Sequence, residues 1–433
     1  MRRPKRRGGA WTRWRAAAAL AVLALASGCG KPAWSPARSI PATLHNEPSV
    51  RVGVVVDRDS ASVSATGQFR VIGPDGSIVA VVDSGRVWHA YPGSGAQDLR
   101  LARPDRPDPV RLTGPVEIRP EQRSTLVVIG ARRYRGEARI MRGSTGVTVV
   151  NVVPMEAYLL SVVALELGFK DPAARQAVMA QAVAARTYAI KNRGRREALG
   201  FDLYPTDADQ MYTGVEPESP EVDDAVGRTT GQILTYNGQP IEALFHSTCG
   251  WSTEAVEQVF QNSAPVPYLR AVSDRYGRGP RDYYCAASPK FRWTEQWDAA
   301  TLTAILSQTL PAVAGARAAT LGRVTNIQVT RTTPTGRVAE LTITTTDGTF
   351  VVPGYHVRDV LRPAGGGQLN STLLQLHVER QGGNLTRVVA AGAGYGHGVG
   401  MCQFGAVGRS RAGQSYRQIL ATYYHGTKLE RAY

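Results

Sequence analysis

An α+β fold is what this 433-residue sequence predicts, and three observations carry the prediction. Its first folded stretch is a series of short apolar or alternating runs punctuated by turn residues, the signature of strands. Two helical patterns follow back to back: PMEAYLLSVVALEL, almost wholly apolar, and PAARQAVMAQAVAARTYAIKN, with an alanine-rich stretch. The remainder mixes strands and helices and contains a loop with glycine at every second position from Gly392 to Gly400. The expected architecture is therefore a β-rich N-terminal part, a central helical core with a β-hairpin, and a C-terminal α+β part carrying the Gly-rich loop.

Residues 1–29 read as an export leader. MRRPKRRGGAWTRWR holds seven basic residues and no acid, and AAAALAVLALASG is too short to span a bilayer. The ending Ala26-Ser27-Gly28-Cys29 is lipobox-like, which makes Cys29 a candidate for lipidation and membrane attachment. Simple secretion is the alternative. Residues 30–48, with prolines and serines and no periodicity, read as a tether.

The β-rich part is expected over 49–143. SVRVGVVVD, FRVIGPDGSIVAVVD and STLVVIG are its strands, PDG marks a hairpin, and the weakly patterned stretch 89–116 reads as a loop. The core is expected over 144–260: VTVVNVV as a strand, Pro154 opening the first helix, and Asp171-Pro172 as cap and first position of the second. QILTY-NG-QPIEALF predicts a hairpin, because Asn237-Gly238 suits a type I′ turn. The rest, 261–433, contributes TEQWDAATLTAILSQTL as a helix, VTNIQVTR and VAELTITTT as strands, and SYRQILATYYHG as a helix capped by Ser415 and stopped by Gly426.

Charge excludes more than it assigns. The formal net charge is +16, but without the seven leader cations the balance is about +9. The arginines are scattered, and no basic helix carries interleaved aromatics, so nucleic acid is not an expected partner. An exported chain with a mild positive excess suits an anionic cell envelope, or simply a solvated surface.

Several residues stand out chemically. Met155, Leu159, Val162 and Glu166 follow four-three-four steps and share a helix face. A carboxylate there has its pKa raised by desolvation, as a general acid near neutrality requires. A glutamate at a frayed helix end facing water is the other reading. In the alanine-rich second helix, Gln181 and Tyr188 share a face. Arg186 is a lone charge in its apolar part, placed to clamp a carboxylate or a substrate oxygen, or to snorkel to solvent. Cys249 and Cys285, with His246 near the first, suit a disulfide, a structural zinc or free thiols. The glycine run fails the dinucleotide-loop spacing and has no Walker lysine. It suits a loop lying flat against a ligand or a neighbouring strand, holding out His397 and Gln403.

Taken together, NVVPMEAYLLSVVALELG, AVMAQAVAARTYAIKN, DADQMYTG, FHSTCGWSTEA, GYGHGVGMCQFGA and YRQILATYYHGTKL resemble, in order and spacing, the stage II sporulation protein D family, which includes the amidase enhancers. The resemblance spans roughly 50–433. It implies work on bacterial cell-wall peptidoglycan: either lytic transglycosylase cleavage of peptide-stripped glycan strands to 1,6-anhydro-muramic ends, or glycan binding that stimulates a separate N-acetylmuramoyl-L-alanine amidase. The family's catalytic acid closes the first central helix, a position held here by Glu166. Arg186, Tyr188, His246, Ser247, Glu254, His397 and Gln403 fall on family-motif positions that the resemblance assigns to the glycan groove, with Arg186 and His397 orienting Glu166 or sugar hydroxyls. No metal or cofactor is required by such chemistry. Three departures are visible: Leu167-Gly168 follow Glu166 where methionine and proline are usual, Cys402 stands where serine is common, and Trp251 replaces a glycine.

Overall fold

The computed structural model describes residues 46–103, 106–168, 171–315 and 320–433, which lie within one compact unit spanning Pro41–Tyr433. The leader, Cys29 and residues 30–45 of the tether lie outside the described residues. No helix among the described residues is long and apolar enough to cross a membrane.

Two six-stranded antiparallel sheets build the N-terminal part. In the first the order is 49–58, 147–154, 137–142, 116–120, 69–72 and 78–82; in the second it is 132–134, 127–129, 61–65, 88–92, 98–103 and 106–113. Alternation sets which side chains are buried: Val50 and Val52, Val71, Leu99 and Leu101, and Ile118 all reach essentially zero exposure and join one core. The expected loop at 89–116 is instead strand for most of its length, three neighbours in the second sheet. Arginine and proline crowd its pattern because only one face is buried, as Leu99 and Leu101 show between half-covered or exposed neighbours.

The strand Val147–Pro154 delivers the chain to the helical core. Helix α1 (Met155–Leu167) follows at once, and Glu47, from the segment expected to be tether, accepts from the Glu156 backbone N–H at 2.8 Å. A carboxylate there satisfies a free donor and meets the positive end of the helix. Helix α2 (Arg175–Lys191) is preceded by a 3₁₀ turn, Pro172–Ala174, which Asp171 caps as expected. Its alanines at 177, 180, 182, 184, 185 and 189 are fully buried, so neighbours approach its backbone from several sides. These neighbours include α1, α3 (Pro220–Arg228) and the strand Gln232–Tyr236. The hairpin at Asn237-Gly238 forms with both residues at positive φ.

A second hydrophobic core occupies residues 293–392. It contains two three-stranded antiparallel sheets with α4 (Ala299–Thr309), α5 (Pro311–Ala314) and α6 (Val357–Val360). The expected helix TEQWDAATLTAILSQTL is split: Trp293–Asp298 is a strand, and Asp298 caps α4. The strand buries Trp297, whose indole N–H reaches the Arg362 carbonyl at 2.7 Å. The chain then returns to α2 through α7 (Gln403–Arg411) and α8 (Tyr416–Tyr423), the latter opened by a Ser415–Gln418 capping box.

One buried ion pair ties this core together. Arg186 on α2 is fully buried and grips Glu156 on α1 in bidentate fashion, Nε to Oε1 at 2.9 Å and Nη2 to Oε2 at 2.6 Å. The Gly231 N–H and the Tyr433 hydroxyl donate to the same carboxylate. Removing one partner strands the other charge in a low-dielectric core, which costs about 3–5 kcal/mol. Arg186→Met and Glu156→Leu are each expected to lower the urea-unfolding free energy by about that amount. Their combination is expected to recover only part of the loss, because Gly231 and Tyr433 still lack their acceptor.

Candidate functional site

Glu166 lies in the last turn of α1 and is half-buried. Two donors reach it: the Met211 backbone N–H to Oε1 at 3.1 Å and the Gln403 side-chain amide to Oε2 at 3.2 Å. Among the described residues no ion pair is formed by it. Burial pushes its pKa up, the two hydrogen bonds pull against that, and the nearby Asp207 charge adds to the rise. A carboxylate at a helix C-terminus also faces the negative end of the dipole. The result is a carboxyl group that holds its proton to higher pH than an ordinary glutamate.

The donors come from two separately braced segments. Met211 ends a loop that Asp209 anchors from within: its carboxylate accepts from Tyr188 at 2.9 Å and from the Tyr204 N–H at 2.8 Å, and pairs with Arg196 at 2.7 Å. Gln210 accepts from the Tyr158 hydroxyl at 3.0 Å, and Tyr212 donates to Asn151 at 2.6 Å. Tyr188 therefore acts on the loop that presents Met211, not on Glu166 itself. Gln403 opens α7 and also leans toward Gln181 Oε1 at 3.5 Å. Gln181 is fully buried, and its Nε2 has no hydrogen-bond partner among the described residues.

The other expected site residues gather elsewhere. Arg186 does clamp a carboxylate, but that carboxylate is Glu156, about 15 Å along α1 from Glu166 at 1.5 Å per residue. His397 does not orient Glu166 either. It accepts from the Val399 N–H through Nδ1 at 3.0 Å and donates from Nε2 to the Phe245 carbonyl at 2.9 Å, and burial drives its pKa down to about 4. It lines a cavity of about 190 Å³ with Phe260, Arg337, Tyr355 and Arg358. His246, ring centroid 5.4 Å from His397, is buried with Nδ1 on the Val399 carbonyl. Glu254 is buried and accepts from the Thr335 hydroxyl. Ser247 accepts the Phe404 N–H through its carbonyl, just behind Gln403.

The glycine run answers to the protein itself. Phe245–His246 pairs in parallel with Met401–Cys402, and Thr248 exchanges backbone bonds with Tyr395. Gly394, Gly396, Gly398 and Gly400 all take positive φ. A Cβ on Gly400 would meet the Leu244 carbonyl at 2.0 Å, and one on Gly398 the Arg337 guanidinium at 2.3 Å. The loop lies against a neighbouring strand and a buried arginine.

Of the three readings left open for the cysteines, free thiols describe this structure. Cys249, Cys285 and Cys402 are free and buried; Cys249 and Cys285 are 3.5 Å apart at sulfur, hydrogen-bonding distance rather than a bond. Cys402 and Asp274, not His246, complete the cluster. Sequence spacing hides this, since Asp274 lies in an irregular segment with no pattern around it.

Two tests follow from this geometry. Replacing Gln403 by alanine removes a hydrogen bond that favours the charged carboxylate, so the Glu166 pKa rises further, as a carbon-13 titration of its side chain would show. Gly398→Ala combines left-handed strain with the Arg337 clash and is expected to cost at least about 2 kcal/mol. Gly413→Ala, at φ +84 with nothing within 4 Å, should cost only about 1 kcal/mol.

Comparison with known proteins agrees with this architecture. The family described as stage II sporulation protein matches residues 143–236, which hold α1, α2 and Glu166, and a domain of unknown function matches 278–400. Stage II sporulation protein D of Bacillus subtilis (strain 168) is 31% identical over 302 residues, covering 65% of this chain and 76% of the relative. An uncharacterized protein of Brachyspira hyodysenteriae is 30% identical over 300 residues, covering 68% and 72%. The amidase enhancer of Bacillus subtilis is 29% identical over 289 residues, 59% of this chain but 38% of that longer protein. With its apolar first helix ending in Glu166 and this extent of similarity, the chain belongs to the stage II sporulation protein D family.

Proposed function

We propose that this protein is an exported cell-envelope enzyme that cleaves the glycan strands of peptidoglycan as a lytic transglycosylase, with Glu166 as its acid and base. The observation that carries the reading is the environment of Glu166. It is a half-buried carboxyl with a raised pKa, two neutral hydrogen-bond donors and no ion pair among the described residues. A structural glutamate in a core is normally paired, as Glu156 is on the same helix.

The chemistry needs little more. Protonated Glu166 gives its proton to the glycosidic oxygen between N-acetylmuramic acid and N-acetylglucosamine as the C1–O bond breaks. The muramic 6-hydroxyl attacks C1 of the oxocarbenium-like centre, and its proton passes to the Glu166 carboxylate. Glu166 ends protonated, as it began, and the product carries a 1,6-anhydro end. An internal nucleophile replaces the second carboxylate of ordinary glycosidases, and holding the sugar in place substitutes for it.

A non-catalytic reading also has support: the similarity to a protein named amidase enhancer, and the Leu167-Gly168 flank in place of the family's usual residues. In that reading the protein binds glycan and stimulates a separate cell-wall amidase.

The full chain and its Glu166→Gln variant, incubated with intact and with peptide-stripped peptidoglycan, separate the two by mass spectrometry of released products. Anhydro-muramic ends from the wild type and a loss of at least about a hundredfold in the variant are expected, the scale of general acid catalysis. No release by either protein, with glycan co-sedimentation and amidase stimulation by both, would establish the enhancer instead.

A further inference from the structure

Behind Gln403 lies a cluster that the proposed chemistry does not use. Cys249 Sγ, Cys285 Sγ, Cys402 Sγ and an Asp274 carboxylate oxygen all lie within 4.8 Å of one another, and all four residues are buried. We propose that these four side chains form a closed structural zinc site.

The geometry suits the ion. Four ligands at about 2.0–2.3 Å in a tetrahedron lie roughly 3.3–3.8 Å from each other. Cys249 Sγ is 3.5 Å from Cys285 Sγ and 3.1 Å from Asp274 Oδ2, so small adjustments bring the set onto a common centre. Three thiolates select a soft or borderline metal, and four protein ligands leave no position open for a substrate.

The surroundings are arranged as a ligand shell requires. Asp274 Oδ1 is held by Arg409 at 3.0 Å and Tyr423 at 2.6 Å, which turns Oδ2 toward the thiols. Cys402 Sγ accepts two backbone N–H groups, from Cys249 and Gly405, each at 3.2 Å. Such outer contacts orient and stabilise thiolate and carboxylate ligands.

Charge supplies an independent observation. Arg337 is 1% exposed, and its Nε and Nη1 have no hydrogen-bond partner among the described residues; Nη2 reaches the Cys249 and Ser252 carbonyls. Cys249, Glu254 and Cys402 are nearby groups that favour its charge, and Arg358 is a like charge that opposes it. Arg292 also lies within electrostatic reach of Cys285 and Cys249, with Nη1 on the Gly250 carbonyl at 3.0 Å. Zinc with three thiolates and one carboxylate carries two net negative charges, which Arg337, Arg292 and Arg409 surround. Neutral thiols would leave Arg337 much less compensated. Binding releases the thiol protons and adds the binding energy to folding.

The site joins three distant segments: Cys249 just after the strand Phe245–His246, the irregular stretch around 274–285, and the cap of α7. Cys402 is the residue before Gln403, so a metal here would fix the start of the helix that contacts Glu166.

The test is metal content in the full chain, purified under mild reductant and analysed by plasma mass spectrometry. About one zinc per chain is expected, falling below about a tenth in Cys285→Ala. Cobalt added to chelator-stripped protein should give thiolate charge-transfer and tetrahedral ligand-field absorption, which does not depend on any variant folding. Zinc removal should lower the melting temperature, and zinc return should restore it. Absence of zinc both as isolated and after addition to reduced protein would overturn the proposal. So would an intact mass two hydrogens lighter that marks a Cys249–Cys285 bridge in the native chain.

Discussion

The Arg186–Glu156 pair is the contact on which the core depends. Two charges deep among apolar helices are tolerated only when their geometry satisfies both, and here a guanidinium fork meets a carboxylate that also accepts from Gly231 and Tyr433. The pair sets how α1 and α2 lie against one another, because Glu156 sits in the first turn of one and Arg186 in the last turns of the other. With the start of α1 held, its far end can carry an unpaired glutamate without loosening the helix. The alanine face of α2 permits the same close approach on its other sides, where α7 and α8 pack.

Two glutamates on one helix thus have opposite environments. Glu156 has its cation, two further donors and almost no exposure. Glu166, ten residues on, has two neutral donors and the helix's negative end. The same helix therefore carries one carboxylate locked into the core by a cation and one held by neutral donors alone. The clamp at Glu156 also keeps the Arg186 charge away from Glu166, whose pKa a neighbouring cation would pull down.

Much of this was legible in the sequence, for identifiable reasons. The apolar run ending in Glu166 is a local pattern, so helix and candidate acid could be read together. The same holds for the Asn237-Gly238 turn, the Ser415 cap and the strands 324–332 and 338–345. Contacts across long separations could not be read. Nothing local tells Arg186 that its carboxylate is Glu156 rather than Glu166, since both lie on the preceding helix. The glycine run announced a close approach correctly, yet the approaching body, the Leu244–Cys249 backbone with Arg337, lies about 150 residues earlier or in a separate core. The stretch 89–116 was obscured by residues such as Arg100 and Arg111 on strand faces turned to solvent. Asp274 carried no signal at all, because an isolated aspartate in an irregular segment looks like any loop residue.

The junction between Cys402 and Gln403 shows how these distant choices meet. Cys402 is the cap of α7, and its sulfur accepts the Gly405 N–H while facing Cys249, Cys285 and Asp274. Gln403, the next residue, turns the other way and donates to Glu166. A serine at 402 could cap the same helix, but its hydroxyl would not place a sulfur in the cluster behind it. The position of the Gln403 amide therefore depends on a helix start held from the rear, while the Met211 N–H depends on the Asp209-anchored loop. Glu166 takes its two hydrogen bonds from independently braced segments. A disturbance of the cysteine cluster would reach it through the Gln403 bond, leaving the Met211 bond, the Arg186–Glu156 clamp and α1 itself in place.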